Sequence, residues 1–301
     1  MKTKSLFLVF IFVAAQLTVH AQSYSFKVLV NKGKNEIKSG SGWQDVKVGA
    51  SLKETDEIKV GSNAYVGLVH ASGKPIELKE AKTYKVAELT KKVSGGASVI
   101  TKYTDFILSS NETKKNNLAA TGAVHRGFGE LTVHLPNTPD QTVYYQGTQF
   151  LTWDNSEFKG PFVVTFTSLF GDELKVLNTT ENFVSVDLEG KEFQNEDNVM
   201  VVVKSKPENK KSGDFTLKKL SKADKARIKA LLSSEVGAAS SEENALAKSL
   251  LAAFYENNNL LIDAATAYRQ AIVLAPDVPA YQENFNDFLL RHKLKPEPKK
   301  D

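Results

Sequence analysis

Histidine is the side chain best suited to acid–base or metal chemistry near neutral pH, and its spacing in this chain argues against both. His70, His125, His134 and His292 lie far apart, and none belongs to an HExxH or His-x-His pattern, in which one element aims two imidazoles at one cation. Cysteine is absent, which removes a thiolate nucleophile, a thiolate metal site and any disulfide. There is no GxSxG elbow, no GxxxxGK[ST] loop and no GxGxxG after a strand; Ser39–Trp43, SGSGW, is a turn-rich stretch that carries a tryptophan. Acid pairs such as Asp172-Glu173 and Glu196-Asp197 have the residue types of a glycosidase, but their positions between strand-like runs read as solvated carboxylates of hairpin turns. The expectation is therefore no enzyme, no catalytic residue, no metal and no cofactor, and behaviour that a strong chelator leaves unchanged.

The elements around these residues begin with MKTKSLFLVFIFVAAQLTVHAQS. Lys2 and Lys4 precede an apolar run from Leu6 to Ala15, and Val19-His20-Ala21 supplies small residues for cleavage. About ten apolar residues fall short of the roughly 20 a bilayer-spanning helix needs, so residues 1–21 read as a signal peptide with a mature terminus at Gln22. Without cysteine there is no lipid attachment after it, so the protein is expected to be exported to the periplasm or cell surface, not as a lipoprotein and without stable membrane insertion. Loss of Lys2 and Lys4 leaves 37 basic against 35 acidic residues. That balance, without a concentrated basic and aromatic groove, argues against nucleic acid as a partner. The lysines of residues 204–229 and of KLKPEPKK, 293–300, read as solvated surface.

Residues 24–89 alternate apolar and polar positions in YSFKVLV, EIKV, AYVGLVH, PIELKE and TYKVAEL, broken by Gly33, Ser39–Gly42, Gly61-Ser62-Asn63 and Ser72-Gly73. The pattern predicts an all-β module. Leu52, Ile58, Val60, Val66 and Leu68 have core-facing spacing, Asp56 is placed to bind backbone at a turn, and Gly49 or Gly73 to take positive φ. With Val48 and Ala64-Tyr65-Val66-Gly67-Leu68, these residues resemble the FecR-type extracytoplasmic domain. After it, Val99, Ile100, Tyr103, Phe106, Ile107 and Ser110 fall at helical spacing and predict one amphipathic helix in a connector.

From Glu130 strand signals return as ELTVHL, TVYY, QFLTWD, PFVVTFTSLF, ELKVLNT, NFVSVDL, NVMVVVK and DFTLKKL. Their number and length fit an immunoglobulin- or fibronectin-like sandwich. Phe158, Phe162, Phe166 and Phe170 lie four apart, but the β-branched residues among them and Pro161 and Gly171 at the borders favour a strand. On that strand Phe162, Val164, Phe166 and Phe170 would share a buried face, with Trp153 in the same core.

Past Ser221 four helical segments follow: KADKARIKALLSS, SEENALAKSLLAAFYENN, LIDAATAYRQAIVLA and PAYQENFNDFLLRH. Ser240 with Glu243 suggests a capping box for the second, and Asp277 a cap for the fourth, ahead of Pro279 in its first turn. Leu251, Ala252, Tyr255, Ala264, Tyr268, Ala271 and Pro276 resemble one tetratricopeptide repeat spanning Ala245–Val278, with Lys248 where the pattern has tryptophan. These residues read as packing positions. One repeat cannot bury its own apolar faces, so Tyr281, Phe285, Phe288 and Leu289 of the last helix and Ile228, Leu231 and Leu232 of the first are expected to cover it.

The chain thus reads as mainly β with an α-helical C-terminal module: 1–21 signal peptide, 22–90 FecR-like β domain, 91–129 connector with one helix, 130–220 immunoglobulin-like β-sandwich, 221–292 tetratricopeptide-like helical bundle and 293–301 charged tail. This order resembles exported proteins of Bacteroidetes-type bacteria that carry an N-terminal FecR-like domain and a C-terminal tetratricopeptide-like repeat. The likeness implies a non-catalytic envelope protein that binds or scaffolds a protein partner, with a homodimer through the helical bundle left open. A soluble accessory of an envelope signal-sensing system and a cell-wall glycan-binding protein are the alternatives. Residues 240–290 hold acids Glu242, Glu243, Glu256, Asp263, Asp277, Glu283 and Asp287 against Lys248 and Arg269. An acidic helical body after the basic stretch 204–229 suggests docking, and residues 221–301 are expected to separate as a unit that carries it.

Overall fold

The computed structural model describes residues 24–93, 101–113, 131–138 and 140–296. Residues 1–21, read from the sequence as a signal peptide, Gly95-Gly96, His125 and the last residues of the charged tail lie outside them. A β-rich N-terminal region is followed by a C-terminal helical bundle.

The first β region contains β1 (Phe26–Lys32), β2 (Asn35–Ser39), β3 (Gly42–Asp45), β4 (Ser51–Leu52), β5 (Glu57–Val60), β6 (Tyr65–His70), β7 (Pro75–Leu78) and β8 (Thr83–Lys85). They form two four-stranded sheets, ordered β4-β1-β6-β7 and β3-β2-β5-β8. One buried cluster joins Phe26, Val28, Leu52, Val66 and Leu68 of the first sheet to Ile58 and Val60 of the second, as the alternation of these residues requires. Asp56 Oδ2 accepts the Lys53 backbone N–H at 2.8 Å, and Gly49 and Gly73 have φ of 87° and 89°. Two sequence expectations change here. β2 and β3 went unread, because NEIKS and GWQD are too polar to signal strands. TYKVAEL is only a strand as far as Lys85; Val86–Lys92 forms helix α1, whose Val86 and Leu89 turn into the core.

The second β region contains β9 (Val143–Tyr144), β10 (Thr148–Thr152), β11 (Phe162–Thr167), β12 (Glu173–Thr179), β13 (Phe183–Asp187), β14 (Asn198–Ser205), β15 (Lys210–Lys211) and β16 (Phe215–Lys219). A sheet runs β12-β11-β14-β16-β9, with β15 paired to β14, and β10 and β13 pair separately. Residues of both sets share one apolar cluster. Trp153 is fully buried in it, edge-on to Phe162 with ring centroids 5.3 Å apart. Phe162, Val164 and Phe166 face inward as expected. Phe170 does not: β11 ends at Thr167, and Ser168 Oγ accepts the N–H groups of Phe170 and Asp172, closing a turn that leaves Phe170 95 % exposed. Among the described residues of ELTVHL, Leu131–Leu135, one isolated bridge forms, Val133 to Trp153.

The helices are α2 (Thr101–Thr113), α3 (Lys222–Leu231), α4 (Ala245–Asn257), α5 (Leu261–Leu274) and α6 (Pro279–Arg291). Ser221 caps α3 by accepting the Asp224 N–H. The expected cap of α4 is displaced: a 3-10 turn at Gly237–Ser241 occupies Ser240, whose hydroxyl donates to Gly237, and Asn244 accepts the Ala247 N–H instead. Asp277 does not cap α6; it pairs with Lys32 of β1 at 2.7 Å, and Pro279 begins the helix without a side-chain cap. Asn259, at φ 58°, reverses the chain between α4 and α5.

Residues Ala245 to Glu256 of α4 are all buried, the state expected of a helix surrounded on every side. Its neighbours are more than helices. One cluster joins α4, α5 and α6 to Tyr103 and Ile107 of α2 and to Leu29, Val30, Tyr65 and Val69 of the first β region. Gly67 of β6 makes this approach geometrically available: a Cβ there would stand 3.2 Å from Val30 Cβ and 3.3 Å from Leu246 Cδ2. Tyr103 packs edge-on against Phe254, and the Tyr65 and Tyr281 hydroxyls meet at 2.6 Å. No helix among the described residues is long and apolar enough to cross a membrane.

Candidate functional site

The repeat-like residues converge as packing. Leu251, Ala252, Tyr255, Ala264, Tyr268 and Ala271 are all buried, and Pro276 is exposed just beyond α5. Small Ala252, Ala264 and Ala271 let α4 and α5 close on each other, while Tyr268 reaches Phe288 of α6 with ring centroids 5.1 Å apart.

Two buried carboxylates organise this layer, and sequence reading singled out neither as special. Asp263 of α5 has no exposure; its two oxygens accept the backbone N–H groups of Tyr145 and Gln146, each at 2.8 Å, and Gln149 Nε2 at 3.1 Å. Burial pushes its carboxyl up to about 6, a rise that the three N–H donors restrain. One turn along α5, Thr266 Oγ1 donates to Gln149 Oε1 at 2.6 Å and accepts the Phe150 N–H at 3.0 Å. The seam ties the bundle to β10 and the turn before it, satisfying backbone groups that would otherwise be buried unpaired.

Glu256 of α4 is the second. It accepts from Arg291 Nε and Nη2 at 3.0 Å, from the Tyr268 hydroxyl at 2.9 Å, and lies 2.9 Å from His292 Nε2. Burial raises its carboxyl, but the contacts of His292 and Arg291 outweigh that and hold it below the usual glutamate range. A groove beside it, lined by Pro136, Gln141, Arg291, His292 and Lys293, therefore has Arg291 and His292 committed to Glu256.

Among the described residues, His70 and His134 make their contacts away from Glu256. His70 Nδ1 lies 2.8 Å from the Ser72 hydroxyl, and His134 Nδ1 lies 2.9 Å from that of Thr152. Among the described residues no group of three or more His, Asp or Glu is placed to hold a metal ion. Asp172 accepts the Ser168 hydroxyl in the β11–β12 hairpin as expected, but Glu173 already begins β12, and Glu196-Asp197 lie in the connection between β13 and β14, which do not pair, rather than in a hairpin turn.

Exposed chemistry gathers on the outer face of the six-stranded sheet. Val163, Thr165 and Thr167 of β11 and Val202 and Lys204 of β14 floor an open groove of about 510 Å³, closed at one end by Lys206, Asn209 and Lys211. At the far end of β11 stands the hairpin tip, with Leu169 55 % and Phe170 95 % exposed. The outer face of the other exposed sheet is different: Trp43 lies under the ammonium groups of Lys38 and Lys59, and Lys59 pairs with Glu36. Its charges answer one another. Those of the groove do not: among the described residues, Lys204, Lys206 and Lys211 form no ion pair.

No protein-family model matches the chain, and no curated protein matches it.

Proposed function

We propose that this chain is a non-catalytic exported envelope protein that binds a protein partner through its second β region, with the helical layer acting as the scaffold. The observation that carries the reading is Phe170, a large aromatic side chain at 95 % exposure on a hairpin whose other phenylalanines are buried. A hairpin tip closed on the Ser168 hydroxyl, with adjacent exposed Leu169 and Phe170, has the form of an interface anchor, for which aromatic side chains are favoured.

The finer architecture belongs to the same proposal. Residues 22–90 are taken as a FecR-like β domain on the two facing four-stranded sheets, residues 130–220 as an immunoglobulin-like sandwich around Trp153 and Phe162, and residues 221–292 as a tetratricopeptide-like bundle on the α4–α5 pair. The α4–α5 pair serves as cement, because both helices are covered by the chain's own residues. Export rests on the lysines, apolar run and Val19-His20-Ala21 of residues 1–21.

The test is crosslinking in the native envelope, comparing the unaltered protein with Phe170→Ser. The variant should keep its melting temperature, since the side chain is solvated, and lose its crosslinked protein. Retention of that protein, or a crosslinked product that is glycan and not protein, would refute the reading. Mass spectrometry of the exported protein should find Gln22 at its amino terminus; residues 1–21 still attached would refute the export step.

A further inference from the structure

We infer that the groove on the outer face of the six-stranded sheet takes an extended acidic peptide segment, with its carboxylates on Lys204, Lys206 and Lys211. The inference rests on the protein-binding reading above and names the chemistry of the partner at a surface adjoining the hairpin tip.

Three observations converge. Lys204 and Lys211 are directly opposed across β14 and β15, and like charges so placed destabilise a strand pair. The one carboxylate of this hairpin does not relieve them: Glu208 turns to the other side, onto the Ser205 hydroxyl and the Lys159 N–H. The lining residues themselves include no acid. An anion from outside the chain would convert a local repulsion into attraction.

The floor selects what kind of anion. Val163, Thr165 and Thr167 are alternate residues of one strand, so their methyl groups repeat every two residues, about 6.6–6.8 Å. An extended peptide has the same side-chain period, so its apolar side chains rest on this row while acidic ones reach the lysines at the end. No aromatic residue lines the groove, which withholds the stacking surface that sugars and single-stranded bases use. No arginine lines it either, so there is no planar fork for phosphate.

The probe is a fluorescein-labelled extended peptide of about eight residues whose sheet-facing alternate positions carry Val or Thr and then, towards one end, Glu, with Ser at the positions between. Its controls are the same pattern with Lys for Glu, an oligogalacturonate and a single-stranded oligonucleotide, each titrated with the full chain. The acidic peptide should bind, weaken as salt rises, and lose about tenfold or more in affinity in Lys204→Glu with Lys211→Glu. The single variant Lys204→Glu should bind the peptide more weakly and yet melt higher, because it pairs with Lys211. That combination separates binding from folding. Absence of peptide binding, binding unchanged in the double variant, or equal binding of oligogalacturonate or oligonucleotide would overturn the groove's assignment. If the double variant still captures the crosslinked envelope protein, only the groove fails; if the unaltered protein captures none, the protein-binding reading itself fails.

Discussion

Asp263 and Gln146 are joined carboxylate to backbone nitrogen at 2.8 Å, across the boundary between the helical bundle and the second β region. Because Tyr145 and Gln149 donate to the same carboxylate, one side chain of α5 fixes the turn that leads into β10.

Asp263→Ala would leave those donors buried without an acceptor. Each orphaned donor costs about 1–3 kcal/mol, so a loss of roughly 2–4 kcal/mol is expected after partial relaxation. Urea unfolding at pH 7 measures it, and a change below about 0.5 kcal/mol, the scatter typical of surface substitutions, would show that the seam is dispensable.

The same carboxylate sets a pH dependence. Its folded value near 6 lies above the unfolded value of 3.8, so the folded state holds the proton more tightly. Stability from this group is therefore greatest below about pH 4 and falls as pH rises through 6, by about 3 kcal/mol at most. Glu256 acts in the opposite sense: its folded value is depressed below 4.5, so its contribution is present above that value and is lost as pH falls through the folded value. Melting temperature should fall between pH 4 and 6.5 in the unaltered protein and fall less in Asp263→Asn. Parallel curves for the two would contradict this origin.

Ala264 has no exposure and belongs to the cluster that runs from β1 and β6 through α2 to α6. Ala264→Glu places a carboxylate there, at a cost of several kcal/mol. Sequence reading alone expects residues 221–301 to unfold as a separate unit. The shared cluster and the Asp263 seam lead us to expect the N-terminal sheets and the second β region to be drawn into the same loss, as one calorimetric transition at lowered temperature. A surviving high-temperature transition would show that the β region around Trp153 stands alone.

What could be read from the sequence was local. The core strands of the first β region, the inward face of Phe162, Val164 and Phe166, and four C-terminal helices follow from periodicities of two and 3.6, which neighbouring residues supply. What could not be read depends on distant partners. Nothing near Asp263 in sequence marks it, because its donors lie 114, 117 and 118 positions earlier. Lys204 and Lys211 read as solvated surface because their opposition needs the hairpin through Asn209, at φ 52°. The alternation of Phe162, Val164 and Phe166 runs on to Phe170 in the sequence, but the strand ends at Thr167 and the Ser168 turn carries Phe170 out of the core.

The contact of Tyr65 with Tyr281 bridges 216 positions, and it lies where the outer apolar face of β1 and β6 meets α6. During synthesis, Leu29, Val30, Tyr65 and Val69 emerge long before the helices that cover them. Closing so long a loop delays burial, and a nascent chain with an uncovered apolar face is vulnerable to association with its neighbours. The cover of that face is therefore supplied by residues made last: without the segment from Ala245 onward, Leu29, Val30, Tyr65 and Val69 lose the helices that bury them.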